Sequence, residues 1–448
     1  MNVALGAPLV LPCGVTLANR IAKAAMTEGL ADSMNRATPA HEALYRRWAQ
    51  GGAALLITGN VQVDHRYLER PGNVVIEETQ GRQALDRLRA YARTVQGTDA
   101  QIWVQLSHGG RQSPISVCPE PIAPSAIPLN LPGKLFAPPR AMRQDEISDV
   151  ISRFGFAART VREAGFGGVQ IHGAHGYLIS QFLSPASNHR TDRWGGTLEN
   201  RARLLLEIVD VVRREVGPHF PVAVKLNSAD FLAGGFTQVE ALQVIEMLNT
   251  KSLDLLEVTG GTYEAPVMMG AGRASTQVRE AYFAEFAAQA RRVAAMPVMA
   301  TGGFRSRQVM QAALASGQVD VVGMARPFCS KPNLVNDLLA GAEDVAPTPE
   351  RQLRLGPSSL LDMRSRFSLI RALNVLGQRS WFYMALRDLG AGREAPSRRG
   401  ILGAMMASRR AEQAAISALK SQRRRSPGPQ EELQGNSRNE QAGVGHHG

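Results

Sequence analysis

The chain has 448 residues, 44% of them hydrophobic, which is enough for one large domain with an extension or for two to three smaller domains. It has no apolar run of roughly 18 residues and no charged start before its apolar N-terminus, so neither a membrane span nor a secretory signal is expected. The formal net charge is +12, but residues 343–448 alone hold 17 basic and 10 acidic residues. The preceding part is therefore not strongly basic, and no nucleic-acid partner is expected.

The cysteine content bears on the cellular compartment. Cys13, Cys118 and Cys329 lie far apart and form no CxxC pair. This usage predicts no disulfide framework and fits a reducing cytoplasm.

Short apolar runs rich in Val, Ile and Leu alternate with helical stretches along the chain. The predicted strands are residues 20–26, 53–58, 101–107, 168–173, 221–227, 253–259, 297–302 and 319–324. The predicted helices are residues 38–51, 82–97, 144–164, 197–217, 237–250, 277–293 and 306–316. Most strands do not alternate with polar residues, as is typical of parallel strands covered on both faces. This pattern predicts an α/β fold, a (β/α)8 TIM barrel, with an open doubly wound sheet as the alternative.

Three segments depart from this alternation. Residues 109–143 are Pro-rich and too long for an ordinary loop, so they form either a lid over the barrel mouth or a surface excursion without a role. After a barrel at 1–342, a helical extension is predicted at 343–395, with its helical pattern at 357–389. The Arg-, Ser-, Gly- and Gln-rich segment 396–448 is predicted to be a basic, disordered tail.

Polar and small residues stand at or near the ends of the predicted strands, where a barrel has its mouth. They are Thr27, Gly59, Gln105, His108, His172, His175, Lys225, Gly302, Gly303, Ala325 and Arg326. A Gln or Lys inside an apolar strand needs a polar or anionic partner. The glycine loops after the last two strands, together with Arg326, are typical of a phosphate site, although glycines also simply close tight turns. A phosphate beside Lys and Gln suggests a phosphorylated cofactor.

The stretch "IHGAHGY" contains His172, His175 and Tyr177 directly after a predicted strand. A metal site would need a third ligand, for which His108 is a candidate, but no HExxH motif or Cys cluster supports one. The two histidines could instead donate hydrogen bonds to a carbonyl oxygen, and Tyr177 could deliver a proton. The remaining alternative is that both histidines merely fill a turn.

The long stretch "IHGAHGYLISQFLSPASNHRTDRWGGTLENRARLLLEIV" closely resembles the signature of the Old Yellow Enzyme family of FMN-dependent ene-reductases. The likeness continues through "NRIAKAAMTE", "VQLSHGGR", "VKLN", "EVTGG", "ATGGF" and "GMARPF". It covers roughly residues 5 to 340.

The resemblance implies an FMN-binding barrel that takes its hydride from NADH or NADPH. His172 and His175 would bind the carbonyl oxygen of an α,β-unsaturated small-molecule substrate, and Tyr177 would donate a proton to its α carbon. The residues implied to contact FMN are Thr27, Gly59, Gln105 and Lys225 at the ring, and Gly302, Gly303, Ala325 and Arg326 at the phosphate.

Two departures qualify the resemblance. Ala25 stands where many members have Pro, which weakens one backbone contact to the flavin. Residues 330–448 contain neither Cys nor GxGxxG, so the iron–sulfur centre and further nucleotide domains of the larger dienoyl-CoA reductases are not expected. The acceptor could also be a nitro compound, a quinone or oxygen, since all draw on the same reduced flavin. A non-catalytic barrel serving as a scaffold is disfavoured by the intact motif, and the oligomeric state is left open.

Overall fold

The computed structural model describes residues 4–131, 133–265, 283–393 and 399–425. Eight parallel strands within this part close into a barrel in which each strand pairs with the next along the chain. They are β1 Ile21–Lys23, β2 Leu55–Gln62, β3 Gln101–Ser107, β4 Gly168–Gly173, β5 Val222–Asn227, β6 Leu255–Thr259, β7 Val298–Thr301 and β8 Val321–Met324. All eight predicted strands and the barrel are therefore confirmed, and the open-sheet alternative is wrong.

Helices surround the barrel and continue beyond it. They are α1 Pro39–Gln50, α2 Gly81–Ala92, α3 Gln144–Glu163, α4 Leu178–Leu183, α5 Leu198–Val216, α6 Gln238–Leu248, α7 Ala284–Val293, α8 Arg307–Ala315, α9 Leu334–Ala340, α10 Ser368–Gly390 and α11 Ile401–Arg425. Of the predicted helix 277–293, residues 277–282 lie outside the described residues. None of the described helices combines the length and apolar character that crossing a bilayer requires.

The helix boundaries follow local chemistry. The Thr197 hydroxyl accepts a hydrogen bond from the Asn200 amide at the start of α5, which satisfies a backbone donor that has no partner inside the helix. Gly217, at φ +76°, ends the same helix in a conformation that favours glycine. The apolar face of α5 then packs on the barrel, with Leu204, Leu205 and Ile208 fully buried.

The base of the barrel is closed by an antiparallel pair of short strands, Leu9–Val10 and Thr16–Leu17. Leu17 of this pair and Leu11, directly after its first strand, join a buried cluster with Trp103 of β3 and Leu255 of β6. The opposite end, where the strands reach their carboxyl termini, is therefore the end left for chemistry.

Strand register decides which polar side chains meet. Gln105 of β3 lies opposite Gln170 of β4, and His172 of β4 lies opposite Lys225 of β5. Lys225 in turn lies opposite Glu257 of β6. Four neighbouring strands thus bring five polar residues to one arc of the barrel.

The extension packs against its own barrel. Arg387 of α10 donates a hydrogen bond to the Gly29 carbonyl (3.2 Å), and Arg47 of α1 donates to the Gly392 carbonyl (2.8 Å). The observed α10 begins at Ser368, so the predicted start of the helical pattern at 357 is too early. Residues 357–367 form turns instead.

Residues 401–425 form α11, so the prediction of disorder from residue 396 is wrong for this stretch. Leu419 of α11 is buried in a cluster with Leu68, Val75 and Val117 of the barrel loops. Arg423 donates hydrogen bonds to the carbonyls of Val117 and His65. The burial of Leu419 and the hydrogen bonds of Arg423 stabilise the helix on the barrel, despite the Arg-rich composition that favoured disorder. Residues 396–398 and 426–448 of the predicted tail lie outside the described residues.

Candidate active site

The end of β4 and the turn that follows it hold the two histidines and Tyr177 close together. The ring centroids of His172 and His175 are 5.2 Å apart, and those of His172 and Tyr177 are 4.9 Å apart. The turn requires positive φ at His175 (+62°) and Gly176 (+77°). A hydrogen bond from the His175 amide to Asn227 Oδ1 (3.1 Å), at the end of β5, holds this conformation.

The hydrogen bonds of His172 define its tautomer. Nδ1 of His172 accepts the Ala174 amide at 3.2 Å, so in the neutral ring the proton resides on Nε2. Nε2 of His175 lies 3.1 Å from the Thr259 hydroxyl at the end of β6. His172 therefore presents a donor to the barrel mouth, while His175 is oriented by Thr259.

Both histidines are held neutral. Burial lowers the pKa of His172 well below 6.5, and the nearby His175 and Lys225 lower it further. Burial and Lys225 do the same to the pKa of His175. At neutral pH the pair can therefore donate hydrogen bonds but carries no proton to deliver.

Tyr177 has a phenolic partner that the sequence analysis did not identify. Its side chain is 4% exposed, and its hydroxyl oxygen lies 2.7 Å from that of Tyr263, in the loop after β6. Burial, followed by the charge of Glu69 and the presence of Tyr263, raises the pKa of Tyr177 well above 10. Tyr177 is therefore a protonated donor at neutral pH.

A buried polar chain crosses the strands beside the histidines. The Gln105 side-chain amide donates to Gln170 Oε1 (2.5 Å), and the Gln170 amide donates to Glu257 Oε2 (2.7 Å). Glu257 Oε1 lies 2.8 Å from Lys225 Nζ. The partners that Gln105 and Lys225 were expected to need are thus present within the barrel.

Thr27, in the segment after β1, faces a buried carboxylate. Its hydroxyl donates to Glu69 Oε2 (2.8 Å), which also accepts from the Asn60 amide (3.2 Å). With its proton engaged by Glu69, the Thr27 oxygen presents lone pairs to anything in the barrel mouth. Glu69 adds a negative charge at this edge of the site.

Gly59 lies where β2 departs from regular pairing with β3, between Ile57 and Asn60. A Cβ at this position would be 2.3 Å from Glu28 Oε2 and 2.4 Å from the Met26 carbonyl oxygen. The Gly59 amide donates to Glu28 Oε1 at 2.9 Å. Only glycine fits where β2 approaches the segment that follows β1.

The ends of β7 and β8 form a basic, glycine-rich corner. Gly302 and Gly303 have φ of +144° and +82°, a backbone conformation that glycine adopts readily. The Thr301 hydroxyl beside them is buried and has no hydrogen-bond partner among the described residues. Arg326 is 28% exposed on its side chain and follows Ala325 in a short 3-10 turn.

Two further charged residues join this corner. Arg305 lies 2.9 Å and Arg326 lies 3.6 Å from the same Glu350 carboxylate oxygen. Burial favours the neutral form of Glu350, but the two arginines outweigh burial and lower its pKa below the usual value. Two cations facing one carboxylate leave a net positive charge, which suits an anionic group.

Segment 109–143 lies against the loop that carries Tyr263. The Asn130 amide donates to Glu264 Oε1 (2.8 Å), and Arg111 pairs with Glu264 Oε2 (2.9 Å). The Phe136 and Tyr263 ring centroids are 6.3 Å apart. These contacts agree with the interpretation of the segment as a cover at the mouth.

The extension reaches the same side of the mouth. The guanidinium of Arg70 lies over the ring of Tyr383 from α10, 3.7 Å from its centroid. Tyr383 is close enough to Tyr177 and Tyr263 to raise the pKa of both, behind the effects of burial and Glu69. The helical extension is thus part of the surroundings of the proposed proton donor.

His108, the candidate third metal ligand, is engaged elsewhere. Its Nδ1 accepts the Gly110 amide (3.1 Å), and its ring packs on Tyr67. Among the described residues, three potential metal ligands come within 4.8 Å of one another only at Asp64, His65 and Glu77. That cluster contains neither His172 nor His175, and its Asp64 is already paired with Arg66. The described residues therefore provide no third metal ligand beside the histidine pair.

Comparison with known proteins identifies the class of enzyme. Residues 5–344 match the family described as NADH:flavin oxidoreductase / NADH oxidase. The NADH-dependent flavin oxidoreductase iliE of Hypocrea jecorina (strain QM6a) is 35% identical over 360 residues, 75% of this chain and 89% of the relative. The corresponding iccE of Talaromyces variabilis is 32% identical over 406 residues, 86% and 98% of the two chains.

A solved structure agrees. The old yellow enzyme homologue of Zymomonas mobilis has a TM-score of 0.64 at 27% identity, covering 78% of this chain and 95% of that chain. The protein is thus an FMN-dependent oxidoreductase with a TIM-barrel fold. The chain belongs to the NADH:flavin oxidoreductase / NADH oxidase family, and its structural neighbours include Old Yellow Enzyme homologues.

The residues present fit FMN. The unpartnered Thr301 hydroxyl and the positively charged Arg305–Arg326 corner suit the phosphate. The buried amide of Gln105 and the ammonium of Lys225 offer donors for the polar edge of a flavin ring. Because Gly59 has no side chain, β2 and the segment that carries Met26 and Thr27 can lie close together.

Several residues of the site were not identified from the sequence. They are Glu69, Gln170, Glu257, Tyr263, Arg305, Glu350 and Tyr383. A carboxylate inside the apolar strand at Glu257 could have suggested a partner for Lys225, since buried charges need one. Gln170 lies in β4, two residues before His172, and the same reasoning applies to its buried amide. The remaining residues come from loops or the extension, and no spacing relates them to the motif.

Proposed function

We propose that the enzyme reduces the C=C bond of α,β-unsaturated carbonyl compounds. The observation that carries this proposal is the grouping of two neutral histidines and one protonated tyrosine at the end of β4 and in the turn after it. Reduced FMN supplies the hydride for the β carbon, after NADH or NADPH has reduced it. Both substrates use one site, so ping-pong kinetics are expected.

His172 and His175 bind the carbonyl oxygen of the substrate in this proposal. The Nε2–H of His172 is available as a donor, and the Thr259 hydroxyl orients His175. Hydrogen bonds to the oxygen draw electron density from the conjugated double bond and stabilise the enolate that hydride addition produces. Neutral rings suit this task because they polarise without transferring a proton.

Tyr177 then protonates the α carbon. Its high pKa keeps the proton in place until the carbon has become strongly basic. The ring of His172 packs edge to face on Tyr177, which holds the hydroxyl beside the carbonyl site.

The cofactor contacts are part of the same proposal. Lys225 and Gln105 would hold the polar edge of the flavin ring, and Thr27 and Gly59 would also contact the ring. Gly302, Gly303, Ala325 and Arg326 would hold the phosphate group. The polar chain that ends in Glu257 fixes Gln105 and Lys225 before the cofactor binds.

An anaerobic titration tests the function. NADH or NADPH should bleach the flavin absorbance of the purified protein, and cyclohexenone should restore it. Tyr177→Phe should leave bleaching unchanged and slow the recovery by about 100-fold or more, the usual contribution of a positioned acid. Tyr91→Phe removes another buried hydroxyl, on the outside of the barrel, and should change neither step.

Other outcomes discriminate between acceptors. Bleaching without recovery on the enone would contradict ene-reduction and favour a nitro compound, a quinone or oxygen as acceptor. Equal recovery rates in Tyr177→Phe and wild type would contradict the role of Tyr177. A protein without flavin absorbance would contradict the proposed cofactor contacts.

A further inference from the structure

We propose that Tyr263 relays a proton from solvent to Tyr177 during substrate reduction. The inference rests on the proposed function, in which Tyr177 protonates the α carbon, and it adds the group that restores that proton. Each turnover removes one proton from Tyr177, so a supply route is required.

The two hydroxyls are in direct contact. Their oxygens are 2.7 Å apart, within hydrogen-bond distance, and either one can be the donor. The rings meet edge to face with centroids 5.9 Å apart. This geometry allows a proton to pass without movement of either backbone.

The pair also differs in access to solvent. Tyr177 is buried, whereas Tyr263 is partly exposed. In the proposed relay Tyr263 is therefore the member of the pair that takes its proton from water. A bound substrate further restricts water at Tyr177, which increases the need for a route through Tyr263.

The other groups near Tyr177 do not suit this task. His172 touches the Tyr177 ring, but burial lowers the pKa of His172 so far that it holds no transferable proton at neutral pH. Glu69 Oε2 acts as an acceptor, since it receives hydrogen bonds from Thr27 and Asn60. Tyr263 is the group that has both the proton and the contact.

Electrostatics favour transfer of both protons in one step. Burial and the charge of Glu69 raise the pKa of Tyr177 and of Tyr263 well above 10, so both phenols hold their protons at neutral pH. A phenolate left alone near Glu69 in this buried place would be costly. If both protons move in one step, no phenolate forms at Tyr177.

The contacts around Tyr263 hold it in place for this role. Its neighbour Glu264 accepts hydrogen bonds from Arg111 and from the Asn130 amide of segment 109–143. The cover of the mouth thereby fixes the loop that carries the relay.

The proton balance is simple. The α carbon receives the hydroxyl proton of Tyr177, the Tyr177 oxygen receives that of Tyr263, and the Tyr263 oxygen takes a proton from water. The β carbon receives a hydride from reduced FMN. The substrate gains two electrons and two hydrogens, and both tyrosines return to their starting state.

The test compares Tyr263→Phe and Tyr263→Gln with wild type by stopped flow on FMN-loaded protein. Phe removes the hydroxyl, whereas Gln can hydrogen-bond to Tyr177 but does not readily pass a proton on. Reduction by NADH should stay within about twofold in both variants. Reoxidation by cyclohexenone should slow by about tenfold or more in both, within the range of general acid catalysis.

A proton inventory in mixtures of H2O and D2O separates relay from positioning. Reoxidation of wild type should depend on the deuterium fraction with curvature, because two or more protons move together. Both variants should give a straight line. A wild-type rate in Tyr263→Gln, or a straight line in wild type, would overturn the relay.

Failure of the relay and failure of the function can be told apart. If Tyr177→Phe slows reoxidation and Tyr263→Phe does not, only the relay is wrong. If Tyr177→Phe has no effect, the proposed function itself has lost its proton donor. Tyr91→Phe serves as the control for loss of a buried hydroxyl elsewhere.

Discussion

Lys225 on β5 and Glu257 on β6 form a buried ion pair, with Nζ 2.8 Å from Oε1. The side chains are 3% and 0% exposed, and the strand register places the residues directly opposite each other. Neither charged group can be hydrated inside the barrel, so each one needs the other as a partner of opposite charge. The positive charge proposed to face the flavin is therefore partly neutralised by its neighbour.

Glu257→Gln should make the reduction potential of the bound flavin more positive. The substitution leaves Lys225 uncompensated, which favours the electron-rich reduced flavin, and it keeps an oxygen for the Gln170 hydrogen bond. The free energy of unfolding should fall by about 3 kcal/mol, as when one partner of a buried pair is removed. Spectroelectrochemical titration and urea unfolding measure the two effects. An unchanged potential would mean that Lys225 does not face the flavin.

Gly59→Ala should lower both stability and FMN retention. The new methyl group would lie 2.4 Å from the Met26 carbonyl oxygen and 2.3 Å from Glu28 Oε2, so the strand ends must separate. Overpacking of this kind costs about 1 to 3 kcal/mol. Urea unfolding and the flavin-to-protein absorbance ratio check this. Gly400→Ala is the matched control, since a Cβ there meets nothing within 4 Å.

His108→Gln should reduce the loss of stability in mild acid. Burial lowers the pKa of His108 to about 4, although the charge of Asp64 opposes it, whereas the unfolded value is near 6.5. Between these two values the unfolded state binds more protons, so stability falls as pH falls, by about 1.4 kcal/mol per pH unit.

Urea unfolding at several pH values between about 7 and 5 measures this slope. The variant should show a shallower slope than wild type, and the exposed His219→Gln should retain the wild-type slope. Equal slopes in wild type and His108→Gln would show that His108 is not held neutral by burial.

Arg423→Ala should loosen α11 from the barrel. The side chain donates to the Val117 carbonyl (2.8 Å) and to the His65 carbonyl (2.7 Å), and charged hydrogen bonds are worth about 1.5 to 3 kcal/mol. Hydrogen exchange of α11 amides should therefore accelerate by about tenfold or more. Arg409→Ala, at an exposed position of the same helix, should leave the exchange rates unchanged.

The correct strand predictions show what local pattern can carry. Buried parallel strands are continuous apolar runs, and their period and length appear directly in the sequence. The barrel also confines chemistry to the carboxyl ends of its strands, so His172, Lys225 and Arg326 could be recognised as site candidates before the fold was known.

The tail shows where composition misleads. An Arg-rich segment resembles a disordered one when it is considered alone. In the folded protein Leu419 and Arg423 of α11 find partners on barrel loops that lie hundreds of residues earlier in the chain. Such long-range contacts leave no local signal.

The sequence by itself determined the barrel, the position of its mouth and the motif of His172, His175 and Tyr177, because these follow from periodicity and from residues close together in the chain. The tertiary structure alone decided that Glu257 neutralises Lys225, that Glu69 engages Thr27, and that Tyr263 contacts Tyr177. Each of these pairs joins residues on different strands or loops. Their proximity depends on strand register and loop packing, which arise only when the barrel closes.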